Sequence, residues 1–134
     1  MTQVVVPVRY PLSTHSKATL SRAIDAANEH DGNLTVLHVN LYHNSRRVSR
    51  SELKSAVEKA FGRLPNTRYV VRTGMLVEET ILDEVAQQRA DIIVVGRKQA
   101  SRWRRMVRRL ADDPDIERFL QKEVDAKIIT ASVS

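Results

Sequence analysis

Five short runs of mostly branched apolar residues stand out along the chain: QVVVPV at 3–8, LTVLHV at 34–39, TRYVVR at 67–72, DIIVV at 91–95 and KIITA at 127–131. Such runs predict strands, and near-continuous ones predict strands covered on both faces. Between them the apolar residues recur every three or four positions, which predicts amphipathic helices. The stripes are Leu20, Ala23, Ile24 and Ala27; then Leu53, Ala56, Val57, Ala60 and Phe61; then Val77, Ile81, Leu82 and Val85; and last Ile116, Phe119, Leu120 and Val124. The punctuation agrees with this division. Ser13 and Thr14 offer N-caps, Ser49-Arg50-Ser51-Glu52 is a capping box, and Asp113-Pro114 starts the last helix. Asp31-Gly32-Asn33 and Leu64-Pro65-Asn66 stop helices, Pro7 ends the first ladder, and Gly74 and Gly96 close the third and fourth strands. Residues 40–48 are polar and without period, so a loop is expected there.

Strand and helix alternate to the end of the chain. That order predicts a doubly wound α/β fold: a five-stranded parallel sheet with helices on both faces and right-handed crossovers. At 134 residues, with no repeat and no linker, residues 1–134 are expected to form one domain. Apolar residues make up 42% and the chain has four glycines and four prolines, so it should fold. Cysteine is absent, which removes disulfides, thiolate metal sites and cysteine nucleophiles. No apolar run approaches the ~20 residues of a membrane span, and the first residues lack the pattern of a signal peptide. The expected location is the cytoplasm.

Charge alters the picture at one place. Seven cations and no acid fall between Arg97 and Arg109, in a chain whose net charge is +6. Taken as a helix over 101–111, this stretch puts Trp103, Met106, Val107 and Leu110 in one arc, with Arg102, Arg104, Arg105, Arg108 and Arg109 opposite. The simplest reading is a docked helix with a solvated basic face. The others are a surface for phosphate or nucleic acid, a membrane-surface helix with a small apolar side, and a partner protein with an acidic face.

Catalytic chemistry finds little support. His15, His30, His38 and His43 do not pair at ligand spacing, so no metal site is expected, and His38 within a strand should be a packed, hydrogen-bonded side chain. No serine sits in a glycine-flanked elbow, and no phosphate loop ending in lysine and threonine occurs. The acids Glu78 and Glu79 suit the start of a helix. The chain is therefore expected not to be an enzyme.

Three segments carry a family resemblance. VVVPVRYPLSTHSKATLSRAI resembles the first strand and helix of the universal stress protein family, VVRTGMLVEETILDEVAQQRADIIVVG its third strand, third helix and fourth strand, and ERFLQKEVDAKIITA its last helix and strand. The resemblance implies an adenine-nucleotide alpha-hydrolase-like fold of the universal stress protein type, commonly dimeric, in which some members bind ATP and others do not. It places a nucleotide pocket at Pro7, Val8, Arg9, Val39, Gly96 and Arg97. ATP-binding members carry three spaced glycines after the fourth strand, the last followed by serine or threonine. Here Gly96 matches the first, Gln99 stands at the second, an ungapped count puts Arg109 and Leu110 at the end, and no glycine follows Gly96. The aspartate that usually ends the first strand is Arg9. These departures imply a lost or weak ATP site and no bound cofactor, the alternative being a nucleotide, ATP or AMP, held through a remodelled loop; the family's strand order puts strand 127–131 at a sheet edge and so implies a binding protein acting as a homodimer through it. Arg9 and Arg97 are expected to be surface arginines paired with nearby acids; the alternative is a small anion site in the old pocket.

Overall fold

The computed structural model describes residues 1–43, 46–110 and 126–131, and of 106–110 the backbone alone. Its sheet has five parallel strands: β1 (Gln3–Pro7), β2 (Asn33–Leu41), β3 (Thr67–Gly74), β4 (Ile92–Gly96) and β5 (Lys127–Ala131). The order across the sheet is β3-β2-β1-β4-β5, with every neighbouring pair parallel. Four helices are described: α1 (Thr14–Glu29), α2 (Arg50–Phe61), α3 (Val77–Gln88) and α4 (Arg97–Leu110). Among them, no helix is long and apolar enough to cross a membrane.

Period-two alternation sends each central strand's side chains to two cores. Val4, Val6, Val36, Ile92 and Val94 face one, which Leu20, Ala23, Leu53 and Val57 of α1 and α2 complete. Val5, Leu37, Ile93 and Val95 face the other, which Ile81, Val85, Ala100 and Trp103 of α3 and α4 complete. The doubly wound α/β expectation holds. Asp91 ties the strands together at their amino ends: its carboxylate accepts from Gln3 N (2.8 Å), its N–H donates to Gln3 O (2.9 Å), and its carbonyl accepts from Lys127 N (2.9 Å).

The caps form as the sequence implies. Ser13 Oγ accepts from Ser16 N at 3.1 Å, and Ser49 and Glu52 close a reciprocal capping box. Three elements differ. β2 runs on to Leu41, because the Asn40 side chain clamps Val48 by giving a hydrogen bond to its carbonyl (2.9 Å) and accepting one from its N–H (3.1 Å). Ala60, placed on the α2 stripe, is exposed. The basic helix starts at Arg97, four residues before the expected Ser101, since Arg97, Lys98, Gln99 and Ala100 are all good helix formers. Ala111, the helix expected from Asp113-Pro114, and the stripe Ile116, Phe119, Leu120 and Val124 lie outside the described residues.

Candidate functional site

Sheet order reverses between β1 and β4: the chain first moves outward to β2 and β3, then crosses back to β4 and β5. In open α/β sheets, ligands bind beyond the carboxyl ends of the strands at that point. A cavity of about 1000 Å³ lies there. The ends of β1, β2, β4 and β5 line it, together with the first turns of α1 and α4. Pro7, Val8, Arg9, Val39, Gly96 and Arg97, which the resemblance scattered over three strands, all border this one space.

The lining is cationic. Arg9, Arg46, Arg97, Lys98 and Arg102 contribute five positive side chains and His15 and His38 two imidazoles; no aspartate or glutamate is among the described lining residues. The expected pairing of Arg9 and Arg97 with nearby acids is not found: among the described residues, the ion pairs within 4.0 Å are Arg22–Glu29 and Arg72–Glu84. The acids of the third helix are placed elsewhere. Glu84 is buried and held by Arg72, while Glu78 and Glu79 serve the first turn of α3. The first turns of α1 and α4, which border the cavity, contain no acid.

The start of α4 is an unusual piece of helix. Arg97 and Lys98 sit at its positive dipole end, where carboxylates are normally favoured. Gln99 follows, and its side-chain Nε2 is out of water with no hydrogen-bond partner among the described residues. One turn on, Arg102 borders the cavity and is half-buried, so it leaves the exposed basic face on which the sequence put it. Arg104 and Arg105 are exposed; the side chains of Arg108 and Arg109 lie outside the described residues. Trp103 is fully buried, as its arc implied, while Met106, Val107 and Leu110 cannot be placed beside it because their side chains are not described.

Gly96, the one signature glycine retained, has a packing role: a Cβ there would stand 3.2 Å from Thr19 Oγ1 of α1. Opposite α4, the cavity wall is aromatic. His38 Nδ1 lies 3.0 Å from Val8 O, which fixes the ring as expected. Tyr10 meets it edge-on with centroids 6.4 Å apart, and the Arg46 guanidinium lies 5.6 Å from the Tyr10 ring centroid. Sequence reasoning missed Tyr10, His38, Arg46, Lys98, Gln99 and Arg102 as pocket residues. Tyr10 follows β1, His38 lies in β2 one position beyond the end of its pairing with β1, and Lys98, Gln99 and Arg102 lie within the first two turns of α4, so position is the signal for these five. Arg46 follows only from the Asn40 clamp on its loop.

The family model described as the universal stress protein family matches residues 1–110. The chain belongs to that family. No curated protein matches it. Among solved structures it is similar to the universal stress protein UspA from Lactobacillus plantarum, with 19% identity, coverage of 98% of this chain and 97% of that one, and a TM-score of 0.63. It is also similar to a universal stress protein in complex with cAMP, at 15% identity, 98% coverage of both chains and a TM-score of 0.60. A third is the universal stress protein from Archaeoglobus fulgidus in complex with dAMP, at 15% identity, 98% coverage of both chains and a TM-score of 0.58. At these identities the likeness establishes the five-stranded fold.

Proposed function

We propose that this universal stress protein is a non-catalytic binding protein that holds a small phosphate-bearing anion in the cavity at the carboxyl edge of its sheet. The observation that supports this reading is a lining of five cations with no carboxylate among the described residues. Like charges gathered around one space repel each other, and a bound anion removes that cost. Guanidinium forks bind phosphate oxygens in pairs, and a helix N-terminus adds free N–H donors. Two neighbours were solved with cAMP and dAMP, phosphate-bearing ligands of a size the cavity admits. Affinity for ATP is lost or weak in this reading, because Gln99 replaces a glycine and α4 takes the place of a phosphate-wrapping loop.

The test is a thermal-shift panel at constant ionic strength, with phosphate, cAMP, AMP and magnesium ATP as probes. The expected result is stabilisation by at least one phosphate-bearing anion that Arg9→Gln and Arg97→Gln remove. Absence of any shift across the panel would overturn the reading. The rival assignment, a nucleic-acid surface on α4, loses Arg102 to the cavity and keeps Arg104 and Arg105 as its described exposed cations.

The same reading includes a homodimer through Lys127–Ala131. β5 pairs with β4 on one side and ends the sheet on the other, and an edge strand presents unpaired backbone groups to a second copy. Light scattering across a dilution series checks it, and a monomeric mass throughout would rule it out.

A further inference from the structure

Resting on the binding reading above, we infer that the ligand is amphipathic: its anionic group meets the cations, and an unbranched hydrocarbon chain runs from it along the apolar side of the cavity to an exposed patch at Tyr42, Met75 and Leu76. The cavity lining is divided. Its cations come from the end of β1, from α4 and from the loop at Arg46, whereas Val39 and Leu41 of β2 and Val77 and Ile81 of α3 make an apolar wall. Three strand spacings separate β4 from β3, about 14 Å at about 4.8 Å each. A ligand that reaches across this edge of the sheet leaves the charged end and passes over hydrocarbon.

The patch continues that wall. Among the described residues, the large apolar or aromatic side chains left mostly exposed are Met1, Tyr42, Met75 and Leu76. Leu41 is in register with Gly74, and Tyr42 N donates to Gly74 O at 3.1 Å, which brings Tyr42 beside Met75. Tyr42 follows Leu41 and Leu76 precedes Val77, and both Leu41 and Val77 line the cavity. Exposed apolar residues scattered singly are ordinary, but these three stand together at one rim. Leu76 is also costly where it is. It is the N-cap of α3, with φ −126° and ψ 131°, and makes no side-chain cap hydrogen bond. Serine, threonine, aspartate and asparagine are preferred at that position, and Ser13 and Ser49 fill it in α1 and α2. A locally unfavourable choice without compensation inside the fold is characteristic of a binding site. The occupant is a free single-chain amphiphile. Glu78 and Glu79 directly follow the patch and oppose an anionic bilayer there, while the cations that hold the anionic group line the cavity.

Isothermal titration calorimetry with butyl, hexyl and octyl phosphate, each kept below its micelle-forming concentration, tests the inference. Full burial of one methylene strengthens binding by roughly three- to fourfold. On a wall open to water on one side, affinity should still grow by at least about tenfold from butyl to octyl. Octyltrimethylammonium, with the same chain and the opposite charge, should not bind. Met75→Ser with Leu76→Ser should raise the thermal midpoint of the free protein, since serine caps α3, and should lose most of the gain from butyl to octyl. Affinity that does not grow with chain length overturns the inference and leaves anion binding intact. Equal binding of the ammonium compound, or a folded double variant that keeps the gain, also overturns it. If no alkyl phosphate binds while phosphate or a nucleotide still stabilises the protein, the inference alone falls, and co-sedimentation with anionic phospholipid vesicles would then assign the patch to a bilayer. Silence from every anion overturns the binding reading itself. Should the double variant fail to fold, the wild-type chain-length series decides alone.

Discussion

Replacing Arg97 and Lys98 by glutamate should make the protein more stable and abolish its anion binding. Both residues lie in the first turn of α4 and border the cavity. A cation at that end of a helix opposes the macrodipole by about 0.3–1 kcal/mol, and a carboxylate there is favourable by about the same amount. Two reversals therefore sum to about 1–4 kcal/mol. Both side chains are exposed, which holds the gain to the lower part of that range, about 1–2 kcal/mol. Relief of repulsion from Arg9, Arg46 and Arg102 acts in the same direction. For a domain of this size the thermal midpoint should rise by roughly 3–10 °C at low salt. Near 1 M sodium chloride, where the screening length is about 3 Å, most of the difference should vanish. A phosphate-bearing anion of the thermal-shift panel, at a hundred times its dissociation constant, should raise wild-type stability by about 2.7 kcal/mol and leave the variant unmoved. A midpoint that stays constant or falls at low salt would refute the reasoning, for it would mean that these cations are already satisfied within the fold.

Two other substitutions probe the scaffold. Arg72→Ala should destabilise by about 2 kcal/mol, between the small worth of surface pairs and the larger cost of orphaning a buried charge; Glu84 is buried, receives Arg72 Nε at 2.8 Å and, among the described residues, would keep Gln88 Nε2 at 2.9 Å, while Arg72 is itself half-exposed. Urea titration should show the midpoint falling by roughly 1 M, and replacing both partners by methionine should recover much of the loss. Gly74→Ala should also destabilise, by about 1–3 kcal/mol, because the new Cβ collides with the Thr80 side chain in the first turn of α3; thermal melts check this, and Thr80→Ala in the same chain should restore stability.

Much of the fold was legible in the sequence because the signals were local and consistent. The runs VVV and IIVV, buried on both sides, left only a parallel sheet, and Ser13, Ser49 and Glu52 marked helix starts that formed as read. The length of β2 was not legible, because it depends on Asn40 reaching Val48, a side-chain clamp across a loop with no period. The start of α4 was missed for a different reason. The helix was expected only from Ser101, whereas intrinsic propensity at Arg97–Ala100 favoured helix from the first residue. The pocket's backbone positions were readable as strand ends. Its charge was not, since the convergence of Arg9, Arg46, Lys98 and Arg102 is a property of the assembled edge.

Trp103 is the only tryptophan in the chain, and it is fully buried on α4. It lies six positions after Arg97, a span of about 9 Å along a helix. The helix is a stiff rod between them, so a displacement of its first turn is carried to the indole, which packs in the core containing Ile81, Ile93 and Val95. The molecule thus contains a single tryptophan, mechanically joined to the rim of its cavity and excitable at wavelengths that its three tyrosines do not absorb. Occupancy can be followed by emission from the unlabelled protein, without a dye or an engineered probe, and a silent indole on saturation would itself report that α4 stays where it is.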